Sequence, residues 1–222
     1  MGYMGKKYYY AALGDSITSG IGPLIFNGFV YRIYDFLKTK FCNVAFINLG
    51  KSGLTSSGLL KQLCKDCEVR TAVKKANMIT ISIGGNNLLK SAFKNYECIN
   101  KKDASAGVEQ FEKDWIRILE CIRNSIGSKA KLYVMTIYNP YNKEHQNYRI
   151  ADHYVECINS IIHNPNLIEN YGYIVVDIYD YFEDHPECEW TFFNFFIRDP
   201  HPNYEGNKII ASLFQRAWII TH

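Results

Sequence analysis

Tyr8-Tyr9-Tyr10-Ala11-Ala12-Leu13-Gly14-Asp15-Ser16 runs from six uncharged residues into a glycine, an acid and a serine. An apolar run without polar alternation predicts a strand covered on both faces, as in a parallel sheet. The strand ends where Gly14 permits a tight turn, and a serine at such a turn is where an α/β protein presents a nucleophile. Serine alone is weak, so a base and an orienting carboxylate are expected with it. Asp199-Pro200-His201-Pro202-Asn203, near the other end of the chain, offers one of each.

Four further runs read the same way: Val44–Leu49, Met78–Ile83, Leu132–Tyr138 and Tyr173–Ile178. Helical patterns fall between them, at roughly Phe29–Lys40, Ser57–Cys64, Val108–Ile126 and Gln146–Ile162, and a last helix covers about Glu205–Ile219. Phe111, Trp115, Ile118, Leu119 and Ile122 make the clearest apolar stripe. Strand and helix in alternation predict an α/β fold of three layers, α/β/α, around a flavodoxin-like five-stranded parallel sheet. Ligands of such sheets bind at the carboxyl ends of the strands. No repeat, low-complexity tract or Pro/Gly linker interrupts the 222 residues, so one domain over 1–222 is the simplest organisation.

The chain is 47% hydrophobic and 15% aromatic, enough for a sizeable core. Its net charge of +3 comes from 25 basic and 22 acidic residues, with no basic block beyond pairs such as Lys74-Lys75. Nucleic acid is therefore not an expected partner, because phosphate neutralisation needs a clustered basic face. Seven cysteines, an odd number without a framework of spacings, predict reduced thiols. Cys64 and Cys67 form a C-x-x-C pair, but a zinc site needs a second pair or two histidines at matching spacing, and neither is present. No apolar run approaches the ~20 residues that span a bilayer, so no transmembrane segment is expected. The first residues lack the apolar segment and cleavage site of a signal peptide, so a soluble, cytoplasmic protein is expected.

Two more blocks follow predicted strands. After the second, Asn48-Leu49-Gly50-Lys51-Ser52-Gly53 imitates the tail of a phosphate-binding loop, yet the glycine required five residues before Gly50 is Ala45, inside the strand. What remains is a turn whose Gly53 N–H is able to face a developing anion. After the third, Ile83-Gly84-Gly85-Asn86-Asn87 lets backbone approach a ligand closely and offers Asn86 as an amide donor. Each block also has an ordinary structural reading: Ser16 as a helix cap, Gly53 as a flexible turn, Asn86 in a left-handed turn, and Asp199-Pro200 as a turn before an Asn203 cap. Of the six histidines, His201 alone has a fixed backbone, between two prolines and near an acid. His145, His153, His163, His185 and His222 fall in polar loops, in a helix or at its end, and at the terminus.

In this order, Ser16 in GDS, Gly53, Asn86 in GGNN and His201 in DPHPN resemble the four blocks of the SGNH, or GDSL-type, hydrolases, from residue 8 to about 215. The resemblance implies a serine esterase or lipase that needs no cofactor and acts on a small-molecule or lipid ester. It implies Ser16 as nucleophile, His201 as base and Asp199 as the acid that orients it. The N–H groups of Ser16 and Gly53, with the Asn86 side chain, would form the oxyanion hole. Tyr138-Asn139-Pro140-Tyr141 is also similar to a Gram-positive bacterial subgroup that includes lipases linked to spore germination. Two positions depart from the family. It commonly has Asp three residues before the histidine, where this chain has Arg198, and Asp199 stands two before. It often reads GGND, where this chain has Asn87. The first departure leaves open whether Asp199 reaches the imidazole; the second removes a carboxylate that would brace the loop but keeps Asn86.

Two rival readings stand beside the hydrolase. A flavodoxin-like module would cradle a flavin or another phosphate in Ser16-Ile17-Thr18-Ser19-Gly20, which gives Asn86, Asp199 and His201 nothing to do. The other is a hydrolase fold that binds without catalysing, against which Ser16 and His201 stand together. The aromatic run from Trp190 to Ile197 reads as core, or as the lining of an acyl pocket. Short-chain esters, lipid acyl chains and acetylated sugars all fit as substrates.

Overall fold

Five strands form one sheet in the computed structural model, which describes residues 7–20, 28–89, 96–193 and 198–222. They are β1 (Tyr8–Gly14), β2 (Val44–Asn48), β3 (Met78–Ser82), β4 (Lys131–Met135) and β5 (Tyr173–Val176). All pairings are parallel and the order is β2-β1-β3-β4-β5, the expected flavodoxin-like winding. The chain runs outward from β1 to β2, then back across β1 to β3. The loops after β1 and β3 therefore open a crevice at the carboxyl edge.

Pleating sends alternate side chains to opposite faces, and each face builds its own core. Ala11, Leu13, Ile79, Ile81, Leu132 and Val134 face one core. They meet α3 (Ser56–Lys65), α4 (Cys67–Lys75), α6 (Lys101–Glu120) and α7 (Tyr148–Ile162) through Leu59, Val73, Trp115 and Ile158. Tyr10, Ala12, Met78 and Tyr133 face the other, against Phe29, Ile33 and Leu37 of α2 (Phe29–Lys40) and Phe214 of α10 (Tyr204–Thr221). Helices on both faces complete the expected three layers. β2, at an edge, is only half-buried throughout.

The remaining helices are α1 (Ser16–Ser19), α5 (Gly85–Leu89), α8 (Pro165–Tyr171) and α9 (Ile178–Asp184). The sequence does not predict these four or α4, because each is short, nine residues at most. Their starts are set by caps instead. Asp66 accepts the Glu68 and Val69 N–H groups, Asn164 accepts those of Asn166 and Leu167 just ahead of Pro165, and Asp177 accepts that of Asp180. α6 likewise begins at Lys101, earlier than Val108, because Asn100 accepts the N–H groups of Lys102 and Asp103. Its far end passes into a π-helical turn, Cys121–Ser125. All seven cysteines are free, and Cys64 Sγ lies 3.9 Å from Cys121 Sγ. Among the described residues, no helix is long and apolar enough to cross a membrane, and no three His, Cys, Asp or Glu side chains cluster as metal ligands.

Candidate active site

Ser16 is placed by the end of β1. Gly14 has φ +140°, and a Cβ there would stand 2.1 Å from the Ser82 carbonyl oxygen, so no larger residue fits the strand's exit. Asp15 then donates its N–H to that carbonyl at 3.1 Å. Its carboxylate accepts the Ile17 N–H at 3.1 Å and the Ser82 hydroxyl at 2.9 Å. The cap of α1 is thus Asp15, not Ser16, which becomes the first helical residue and is 8% exposed. Asp15 is 3% exposed, and burial pushes its carboxyl up to about 6 against the opposing pull of Ser82, Ile17 and the nearby His201.

The loop after β2 is stitched onto the loop after β1. Asn48 donates its amide to the Thr18 carbonyl at 2.9 Å and accepts the Gly50 N–H at 3.0 Å, while Lys51 N–H reaches the Gly14 carbonyl at 2.9 Å. Gly53 follows at φ +69°, a left-handed conformation that favours glycine.

Asn86 and Asn87 open α5 and divide the work. Asn86 gives one amide hydrogen to the Leu54 carbonyl at 3.1 Å, which ties β3's loop to Gly53's loop and leaves a second amide hydrogen in its inventory. Asn87 is buried; its oxygen accepts the Ser56 N–H at 3.0 Å and its nitrogen donates to Ser56 Oγ at 2.8 Å. Ser56 and Ser57 in turn donate their hydroxyls to Asp114 at 2.8 and 2.5 Å. The brace expected to be lost with the family's carboxylate is supplied by this amide.

His201 is held on every side. Asp199 Oδ1 touches His201 Nδ1 and also accepts the His201 backbone N–H at 3.0 Å, so the shorter spacing does bring acid and imidazole together. Tyr138 donates its hydroxyl to the Pro200 carbonyl at 2.8 Å. An antiparallel pairing, Phe192 N–H to His201 O at 3.0 Å and Asn203 N–H to Trp190 O at 2.9 Å, fixes the backbone, and Asn203 caps α10 by accepting the Gly206 N–H.

Ser16, Gly53, Asn86 and His201 line one cavity of about 250 Å³. Asp199 is not among its walls and meets it through the imidazole. The supporting contacts of Asp15, Ser82, Ser56, Asn87, Asp114 and Tyr138 have no local signature in the sequence, since each joins segments far apart in the chain. Of the aromatic run, Trp190 stacks on Phe182 at 5.2 Å and Phe193 packs against Tyr96 and Tyr141. None of residues 190–193 lines the cavity, and 194–197 lie outside the described residues.

A family model described as GDSL-like lipase/acylhydrolase matches residues 10–214. The chain belongs to that family. Spore germination lipase LipC of Bacillus licheniformis is 34% identical over 213 residues, which are 94% of this chain and 95% of LipC. YpmR of Bacillus subtilis is 30% identical over 133 residues, 59% of this chain, and the match spans about half of YpmR (51%). The crystal structure of the lipase Lip_vut3 from a goat rumen metagenome superposes with a TM-score of 0.76 at 28% identity, over 95% of this chain and 97% of that one. Like its GDSL-like relatives, this protein is an ester-hydrolysing enzyme.

Proposed function

We propose that the protein is a single-domain serine esterase that works through an acyl-enzyme on Ser16. The observation that carries this reading is the meeting of Ser16, Gly53, Asn86 and His201 in one cavity, with the Asp199 carboxylate against His201 Nδ1. His201 takes the Ser16 proton as the hydroxyl attacks the ester carbonyl and returns it to the leaving alcohol. Asp199 fixes the tautomer whose other ring nitrogen is the base and stabilises the imidazolium. The N–H groups of Ser16 and Gly53 and the Asn86 amide receive the oxyanion, each worth about 3–4 kcal/mol in the transition state. Water then releases the acyl group by the same route. Base, acid and anion donors all come from the chain, so the route requires no cofactor.

Ser16→Ala tests the proposal. Turnover of a p-nitrophenyl ester and labelling by a fluorophosphonate should both disappear while the circular dichroism spectrum is kept. Full activity in this variant would rule Ser16 out.

A further inference from the structure

The cavity beside Ser16 has a lining of two kinds. Asp15, Ser16, Asn86 and His201 are polar, whereas Ile83, Leu88, Ile137 and Val155, brought from the ends of β3 and β4 and from α5 and α7, are apolar. Ile83, Leu88 and Val155 are each 1% exposed yet line the cavity, so they mark its inner end. Tyr96, also in the lining, is partly exposed. Among the described residues it is the one non-glycine at positive φ (58°), in ring contact with Tyr141 and Phe193. Such a conformation persists only where packing over-determines it.

A polar occupant is a poor match for that inner wall. Ser82 Oγ, the inner hydroxyl, is already bonded to Asp15 and Thr18. Sugar hydroxyls pushed against Leu88 and Val155 would lose their water without gaining partners. An alkyl chain has the opposite balance, gaining about fourfold in binding for each methylene buried. The cavity of about 250 Å³ also contains the space beside Ser16 and His201, so the reacting carboxyl group and a chain of limited length share it.

Resting on the reading of Ser16 as nucleophile, we infer that this cavity is an acyl pocket for a linear chain of medium length, closed at its inner end by Val155 and Leu88. The acyl group, not the alcohol, is then what the enzyme selects.

The experiment is a panel of p-nitrophenyl esters from acetate to palmitate, with the alcohol constant, on the full chain and on Val155→Phe and Val155→Ala. For the parent, kcat/KM should climb about fourfold per methylene up to hexanoate or octanoate and then level or fall. Val155→Phe should lower the octanoate-to-acetate ratio about tenfold or more by filling the inner end. Val155→Ala, with two methyl groups fewer, should move the optimum about one to two carbons longer. Each ratio is measured on one preparation, so partial unfolding of a variant does not enter it. A profile that is flat or best with acetate, or ratios unmoved by both variants, while fluorophosphonate still labels Ser16, overturns the acyl pocket alone. Loss of labelling together with turnover on every ester overturns the pocket and the nucleophile together.

Discussion

Asp15→Asn should stabilise the protein at alkaline pH and leave it unchanged at acid pH. Burial raises the Asp15 carboxyl from 3.8 to about 6, against the hydrogen bonds from Ser82 and Ile17 and the charge of His201. A folded-state value above the unfolded one means that the folded protein holds the proton more tightly. Its contribution to stability is therefore fully present below about pH 3.8 and is lost as pH rises through about 6. At 1.36 kcal/mol per unit, the ionised side chain costs about 3 kcal/mol at pH 8. Asparagine is uncharged, nearly the same shape, and its carbonyl oxygen is able to accept both the Ile17 N–H and the Ser82 hydroxyl. In a chain of this length, that difference corresponds to a rise in Tm of about 6–12 °C. The assay is thermal unfolding of both proteins at pH 8 and pH 4, followed by circular dichroism. An equal or lower Tm for the variant at pH 8, or a gain that persists undiminished at pH 4, would refute the reasoning. Turnover should meanwhile fall, because the imidazolium formed during attack loses a nearby negative charge. A costly buried carboxylate beside Ser16 fits the pattern of stability given up for activity.

Asp199→Asn should lower kcat about a hundredfold or more, with KM little changed, by spoiling the His201 tautomer; a loss under about threefold would point to a Ser–His dyad. Asn86→Ala should reduce kcat by about 10²–10³, the usual effect of removing one oxyanion donor, and steady-state kinetics would show it in kcat rather than KM. Asn87→Asp should destabilise the fold by about 2–3 kcal/mol in urea titrations, since Ser56 Oγ would then lie between two carboxylates with one proton to share. Adding Asp114→Asn should recover at least about half of that loss, and no coupling in the double-mutant cycle would separate the two sites.

The sheet was legible because each strand is an apolar run bounded by polar or glycine-rich sequence, and burial on both faces leaves no other use for such a run. β1, β2, β3 and β5 start where the sequence places them; the small differences lie at the ends, where β4 stops at Met135 and the chain turns toward Tyr138. Helices were legible where the apolar stripe is long, as in α2 and α6, and not where the segment is short and a cap sets its start, as in α4 and α8. Of the candidate site, Ser16, Gly53 and Asn86 could be read because each lies just beyond the carboxyl end of a strand, and His201 because it precedes α10; topology gathers these positions into one place. The bonds that aim them could not be read. Ser82 with Asp15, Asn87 with Ser56, and Tyr138 with Pro200 are 67, 31 and 62 positions apart. No local pattern encodes such pairs.

The shortened spacing between acid and base shows why this matters for assigning roles. Counted along the chain, Asp199 stands one position too near His201. In space, the same carboxylate oxygen that meets the imidazole also accepts the His201 backbone N–H, so the side chain folds back over two residues as in an Asx turn. Pro200 between them suits that turn, because it fixes φ and brings no N–H of its own to satisfy. Its carbonyl is taken by Tyr138, whose hydroxyl burial holds well above its ordinary value and so keeps as a neutral donor. The pairing of residues 190–192 with 201–203 then prevents the turn from sliding. Three parts of the chain that the sequence presents separately, the Tyr138 block, the aromatic run and the DPHPN segment, thus define one imidazole orientation. The contact of Asp199 with His201 follows from those bonds and not from its distance in residues, and a relative with a different spacing reaches the same arrangement only if its own backbone contacts allow it.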